Sequence, residues 1–253
     1  MNFKTENLCK RFSDGHYALR DISFTAKEGQ SIAIIGPNGA GKSTLIKCLV
    51  GLEEITSGSI SFGQVEISNM NKKNLRELRK NIGFVFQNFN LIQNLSVFHN
   101  VLFGTMGRKA NPLSWFPLTA SKEDRELVMF HLDRVGLADH AKKRVDHLSG
   151  GQQQRVAIAK MLMQKPKMII ADEPVASLDP KSGLEVIELL STISREESLT
   201  VISILHQLDF ARNYFDRIIG LKKGQIEMDK LTSNVSKENL DLIYSNPLEE
   251  IIV

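Results

Sequence analysis

The stretch that most restricts the fold of this chain is GPNGAGKST at residues 36–44. It matches the pattern G-x-x-x-x-G-K-[ST], in which glycines let backbone N–H groups converge on phosphate oxygens. The apolar run SIAII at residues 31–35 precedes it, and a helical pattern from Thr44 to Val50 follows, as the motif requires. A plain glycine-rich turn is the alternative, and the flanking strand and helix argue against it. The order of strand, loop and helix indicates an α/β core.

The remaining pattern extends this core along a single domain of residues 1–253. We predict antiparallel strands within residues 3–28, a hairpin around residues 63–64 and a closing strand pair at 216–228. Residues 88–147 favour helices. The predicted fold is therefore a phosphate-loop α/β domain with an N-terminal antiparallel β layer. In this scheme residues 1–87 and 148–230 form the β layer and core, 88–147 a helical subdomain and 231–253 a short C-terminal tail.

The composition of the chain limits the kinds of partner and site that it can have. The net charge of +3 on 253 residues is too small to indicate nucleic-acid binding. No window approaches the roughly 20 apolar residues of a membrane helix, so any membrane span would belong to another subunit. The two cysteines, Cys9 and Cys48, suit neither a metal cluster nor a disulfide scaffold.

The phosphate loop predicts specific contacts. Its backbone N–H groups and the positive end of the following helix dipole should hold phosphate. Lys42 should reach the β- and γ-phosphates, and Ser43 should bind Mg²⁺. The full set of predicted loop residues is Gly36, Pro37, Asn38, Gly39, Ala40, Gly41, Lys42, Ser43 and Thr44.

A second motif, MIIADE at residues 168–173, is an apolar strand that ends in two carboxylates. In a phosphate-loop protein, Asp172 would hold Mg²⁺ and Glu173 would act as general base toward the attacking water. Two solvated acids at a strand end are the alternative. Gln87 and His206 also follow apolar strands, and each taken alone is more often structural than catalytic.

The order of these features resembles the ATP-binding cassette (ABC) ATPase family over nearly the whole chain. The phosphate loop, Gln87, LSGGQ at residues 148–152, the strand with Asp172 and Glu173, SLD at 177–179 and His206 occur in family order. The resemblance implies an ATPase that uses ATP and Mg²⁺ and closes as a homodimer when ATP binds.

The resemblance also implies residue roles. Phe12 would stack on adenine, with Tyr17 the weaker choice; Gln87 would contact Mg²⁺ and the attacking water; His206 would contact the γ-phosphate. Asp179 belongs to the loop that in this family lies near the nucleotide. The signature residues would face the γ-phosphate held by a second copy of the chain, and they are Ser149, Gly150, Gly151 and Gln152.

Within the family, the chain resembles a transporter subunit. A repair-type protein would split its halves with a long coiled coil, and a translation-type protein would carry two cassettes; neither is present. The resemblance implies an integral membrane permease as partner, a solute-binding protein as indirect partner, and a peripheral position at the cytoplasmic face of the cell inner membrane.

Three local variants resemble the ATPases of phosphonate and phosphite importers. They are the long segment with NPLSWFP, the sequence EPVASLDP, and LHQLDFA around His206. Another small-solute importer, or a lipoprotein- or division-type system, is the alternative. In this family the permease docks on the helical subdomain. Phe89, Leu91, Trp115 and Phe116 could form that surface if exposed, or could instead close the core of the subdomain.

Overall fold

The computed structural model describes residues 2–68, 70–108 and 111–244 of the chain. They form two compact units, one from the described parts of residues 1–75 and 200–253 and the other from those of 76–199. No helix among these described residues has the length and apolar character needed to cross a membrane.

The strands in chain order are β1 (Phe3–Arg11), β2 (Tyr17–Ala26), β3 (Ser31–Ile35), β4 (Ser57–Phe62), β5 (Val65–Glu66), β6 (Ile82–Val85), β7 (Met168–Asp172), β8 (Thr200–Ile204), β9 (Arg217–Lys222) and β10 (Gln225–Leu231). The α-helices are α1 (Lys42–Leu49), α2 (Lys72–Arg79), α3 (Val97–Leu102), α4 (Lys122–Arg134), α5 (Gly150–Leu162), α6 (Pro180–Glu196), α7 (Leu208–Tyr214) and α8 (Lys237–Tyr244). Short 3-10 turns lie between α3 and α4.

In the first unit, an antiparallel sheet in the order β2-β1-β4-β5 confirms the predicted N-terminal β layer. Strand β3 lies between β8 and β9, parallel to both, and β10 pairs antiparallel with β9. The continuous apolar runs of β3 and β8 are buried, as expected for strands covered on both faces.

In the second unit, β6 and β7 form a parallel pair, with Val85 opposite Ala171 at their carboxyl ends. Helix α5 packs against α3, α4 and α6. Ser96 caps α3 and Ser121 caps α4, each accepting a backbone N–H three residues ahead. The boundaries proposed at residues 88 and 147 for a helical subdomain stay a prediction.

The start of α1 and the C-terminal tail differ from the predicted pattern. Helix α1 begins at Lys42 rather than Thr44, directly after Gly41, whose φ of 101° ends the loop. Residues 237–244 form helix α8 inside the predicted short tail, where Leu240 and Ile243 are buried. The rest of that tail, from residue 245 on, lies outside the described residues.

Candidate functional site

The first unit contains the phosphate loop, whose shape depends on glycine. Gly36, Gly39 and Gly41 have φ of 146°, 78° and 101°. A Cβ on Gly36 would lie 2.1 Å from the backbone oxygen of Leu221, and one on Gly41 would lie 2.5 Å from that of Ala18. Only glycine fits these two positions, because the backbone conformation and the close neighbours both exclude a side chain.

The Lys42 ammonium group is folded into this loop. Its Nζ donates to the Gly36 carbonyl at 2.8 Å and to the Pro37 carbonyl at 3.1 Å, and the residue is buried. Ser43, the next residue, is exposed. The buried ammonium of Lys42 and the convergent N–H groups of the loop suit a polyphosphate. The exposed hydroxyl of Ser43 suits the cation that accompanies it.

His206 leaves the same edge of the first unit as the loop. The register pairs Ile34 with Ile204, and the Leu205 N–H donates to the Ile34 carbonyl at 3.1 Å. Gly36 and His206 therefore follow neighbouring parallel strands at their carboxyl ends, where open α/β sheets bind ligands. His206 is exposed there.

The two aromatic residues proposed for adenine also lie in this unit and are similarly exposed. Phe12 follows the end of β1, and the Lys10 Nζ lies 5.0 Å from the centre of its ring. Tyr17 begins β2, and its ring is within 5.3 Å of the guanidinium carbons of both Arg11 and Arg20. The choice of Phe12 over Tyr17 stays a prediction.

The second unit brings Gln87 and the acidic pair to one edge. Gln87 follows β6 and is exposed, whereas Asp172 ends β7, Glu173 follows it, and both acids are half-buried. Glu173 has φ of 50°, a left-handed conformation that costs a non-glycine residue energy and that is concentrated at functional sites.

Gln154 links these two strand ends and was missed in the sequence. It is fully buried, and its Nε2 donates to the Pro174 carbonyl at 2.6 Å and more weakly to the Phe86 carbonyl at 3.5 Å. Pro174 follows Glu173 and Phe86 precedes Gln87, so one side chain holds both segments. A polar residue on the apolar face of α5 was the signal available in the sequence.

The signature residues begin α5 with a capping box. The Ser149 hydroxyl accepts the Gln152 N–H, and the Gln152 side chain accepts the Ser149 N–H. Both side chains are thus used within the turn. The N–H groups of Gly150 and Gly151 lie outside this box, in the position where a helix start favours an anion.

Asp179 lies beside this helix start. Its carboxylate caps α6 by accepting the Ser182 N–H at 3.0 Å, and hydrogen bonds from Ser182 lower the pKa of Asp179. A Cβ on Gly151 would lie only 2.8 Å from the Cβ of Ser182. The small residue therefore allows the starts of α5 and α6 to touch.

The four apolar residues considered for a permease surface differ in exposure. Phe89, Leu91 and Trp115 are half-buried, and of the four predicted residues only Phe116 is exposed. Phe89 instead lines a cavity of ≈ 270 Å³ whose walls also include Phe84, Phe86, Phe103, Met106 and Lys160. The ring centres of Phe84 and Phe86 are 4.1 Å apart.

No group of three or more His, Cys, Asp or Glu side chains gathers at a potential metal site in the described part of the chain. The residues proposed for Mg²⁺ have a different composition, because Ser43 and Gln87 offer neutral oxygens and Asp172 offers one carboxylate. Mg²⁺ prefers oxygen ligands and commonly takes only one or two protein carboxylates together with substrate phosphates. The donor set fits that cation.

A family model described as ABC transporter matches residues 19–176. The chain is 43% identical over 249 residues to the phosphonates import ATP-binding protein PhnC 2 of Oceanobacillus iheyensis, covering 98% of both chains. It is 44% identical over 238 residues to the phosphate-import ATP-binding protein PhnC of Mycolicibacterium smegmatis, covering 94% of this chain and 90% of the relative.

Solved structures share the fold. The dimeric cassette MJ0796 in a post-hydrolysis state with ADP and Pi is 34% identical, with a TM-score of 0.79 over 91% of this chain and 98% of that one. CbiO1 of Clostridium perfringens, part of the ABC transporter complex CbiONQ, is also 34% identical, with a TM-score of 0.83 over 98% and 96%.

Proposed function

This chain belongs to the ABC transporter family as an ATP-hydrolysing cassette, and we propose that it drives import of phosphonate-type oxyanions, including phosphonate and phosphite. The observation that carries the ATPase function is the glycine-shaped loop with the Lys42 ammonium at its centre. The cargo is proposed from the near full-length similarity to phosphonate and phosphate import proteins. An importer for another small solute, or a lipoprotein- or division-type system, remains the second candidate, from the sequence resemblance.

We propose the following division of roles in hydrolysis. The loop N–H groups, Lys42 and His206 stabilise charge on the phosphate oxygens, while Glu173 accepts a proton from the water that Gln87 orients. When bound, Mg²⁺ neutralises phosphate oxygens, and Ser43, Gln87 and Asp172 are its proposed protein ligands. The left-handed backbone at Glu173 and the hydrogen bond from Gln154 to the Pro174 carbonyl support a fixed orientation of the Glu173 carboxylate.

The chain is proposed to act as a homodimer on ATP. The start of α5, with two glycine N–H groups outside its capping box, suits the γ-phosphate held by a second copy. Cassettes of the same fold are known as dimers. In such a dimer, Lys42 of one copy and Ser149 of the other copy face the same nucleotide. The two residues therefore need not lie close together within one chain.

Its proposed partner is an integral permease that holds it, as a peripheral subunit, at the cytoplasmic face of the membrane. The aromatic cavity beside Phe86 and Phe89 supports this partner, because a concave apolar surface suits an inserted helix from another chain. A separate solute-binding protein would deliver the cargo, which does not bind to this chain.

The test is reconstitution with the cognate permease and solute-binding protein. ATPase activity in vesicles is measured with the binding protein loaded with a phosphonate, phosphite, phosphate or an unrelated amino acid. Stimulation by the first two is expected. Stimulation by the amino acid alone would mean that the transported solute is not a phosphonate-type oxyanion. Absence of Mg²⁺-dependent ATP hydrolysis under every condition would refute the ATPase function.

A further inference from the structure

The hydroxyl group of Tyr244, at the end of α8, reaches the first residue of the phosphate loop. The Gly36 N–H donates to Tyr244 Oη at 3.3 Å. The ladder between β3 and β9 ends one residue earlier, where Ile35 is paired with Gly220. We propose that Tyr244 is a positioning residue that holds the entry of the loop and thereby sets its affinity for nucleotide phosphates, an inference that rests on the proposed ATPase function.

Helix α8 is itself fixed against β9. The Lys222 Nζ donates to the Leu242 carbonyl at 2.6 Å, near the end of the helix. The Ile243 side chain is buried and fills the space above Gly220, where a Cβ would lie 2.5 Å from Ile243 Cδ1. These two contacts involve the two residues just before Tyr244, so its ring is carried on an anchored helix end.

Three contacts fix Gly36 from different sides. The Tyr244 hydroxyl accepts its N–H, the Lys42 Nζ donates to its carbonyl at 2.8 Å, and the Leu221 backbone fills the space where a Cβ would be. A fourth contact holds the far side of the loop, where the Gly224 N–H donates to the Ala40 carbonyl at 3.0 Å. The protein's own groups thus hold the loop in shape, which lowers the ordering cost of binding nucleotide.

The chemistry of the hydroxyl suits this role. Burial raises the pKa of Tyr244, and the Gly36 hydrogen bond opposes that rise. The group is therefore a neutral hydroxyl at physiological pH and accepts the N–H through a lone pair. Phenylalanine keeps the ring but has no acceptor, and it would leave the Gly36 N–H without this bond.

The experiment compares Tyr244→Phe with the wild type and with Leu242→Ala, a control at a more exposed side chain of the same helix. Titration calorimetry gives the Kd for ATP, and steady-state kinetics gives KM and kcat. We expect Tyr244→Phe to raise Kd and KM by about 3- to 10-fold, the range of one lost hydrogen bond, with little change in kcat. Leu242→Ala should match the wild type.

An unchanged or lower Kd in folded Tyr244→Phe overturns the inference, as does a fall in kcat with constant KM. If that variant does not fold, amide hydrogen exchange of the wild type decides. Protection of the Gly36 N–H relative to Gly39 supports the inference, and equal exchange overturns it. A wild type that fails to bind ATP would refute the proposed function, whereas normal wild-type binding with an unchanged variant refutes only the role of Tyr244.

Discussion

The Gln154 side chain donates a 2.6 Å hydrogen bond to the backbone carbonyl of Pro174, the residue after the proposed catalytic Glu173. This bond ties α5, which begins with the signature residues, to the end of β7 in the same chain. The contact offers a physical route by which a phosphate at the start of α5 could influence the Glu173 carboxylate.

Replacing Gln154 with Met keeps the volume but removes the donor. The Pro174 carbonyl then loses its buried partner, which should lower the free energy of unfolding by about 1–3 kcal/mol. Turnover should fall while the ATP affinity of the monomer stays constant. Denaturant unfolding measures the stability, and phosphate release measures the turnover. Gln225→Met, at an exposed position, is the matched control. Wild-type stability and turnover in Gln154→Met would show that the bond has no role.

Glu173→Gln should permit ATP binding but nearly abolish hydrolysis. A positioned general base contributes about 10²- to 10⁴-fold, so kcat should fall by at least 100-fold with little change in Kd. Phosphate release and calorimetry test this, and Glu227→Gln, at an exposed carboxylate of β10, is the control. Hydrolysis at the wild-type rate would make the assignment of the base wrong.

Lys42→Ala should lose affinity for ATP, because an ammonium aimed at phosphate makes charge-assisted hydrogen bonds. Their loss corresponds to roughly 10- to 150-fold in Kd. Lys47→Ala changes an exposed lysine of the same helix and should bind ATP normally. Equal affinity in the two variants would count against the role of Lys42 in the loop.

Ser149→Arg should leave ATP binding by the monomer intact and block the closed dimer, because a long cation would occupy the place of the phosphate of the second copy. The change also removes a helix cap, which costs about 1 kcal/mol. Ser121→Arg removes the equivalent cap of α4 and controls for that loss. Sedimentation with ATP, with each substitution in a Glu173→Gln background, distinguishes loss of the dimer from loss of the helix cap. A stable Ser149→Arg dimer would contradict action in trans.

Stability should depend on His131 between about pH 6.5 and 4. Burial, followed by the charges of Arg134, Arg108 and Lys165, lowers the pKa of His131 to about 4. Neither ring nitrogen has a hydrogen-bond partner among the residues that the structure describes. The unfolded chain therefore takes up this proton first as the pH falls, so the stabilisation is full above pH 6.5 and declines toward pH 4.

The wild type should lose on the order of 3 kcal/mol over this range through His131. His131→Leu should lack that part of the slope and should exceed the wild type in stability at pH 5. Unfolding by urea at several pH values measures the free energy of unfolding of each variant. His147→Leu, which changes an exposed histidine, should keep the pH dependence of the wild type. Parallel slopes for His131→Leu and the wild type would mean that the pKa of His131 is the same in the folded and the unfolded chain.

The strands were predictable because their signals are local. The apolar runs before the phosphate loop, Gln87, Asp172 and His206 became β3, β6, β7 and β8, each within one or two residues of its expected bounds. The phosphate loop, Gln87, Asp172 and His206 lie at the carboxyl ends of these strands, where the strand-end pattern predicted them.

The contacts that hold these residues were not predictable, because they join distant positions. The bond of Tyr244 to Gly36 crosses 208 residues, and that of Gln154 to Phe86 crosses 68. The sequence left open whether Phe89, Leu91 and Trp115 are exposed for a similar reason, since the packing that covers an aromatic ring depends on the tertiary structure. The roles of the site residues themselves stay predictions.

The Lys42 ammonium in the phosphate loop donates to two backbone carbonyls, so any of these bonds that it exchanges for a bond to phosphate reduces the net gain on binding ATP. The free energy that Lys42 contributes to ATP binding is the gain from its bonds to phosphate less the cost of any carbonyl bond that is lost. The same exchange favours departure, because the ammonium regains its carbonyls when ADP leaves. A phosphate loop whose lysine also has partners in its own backbone therefore suits an ATPase that must release ADP in every cycle.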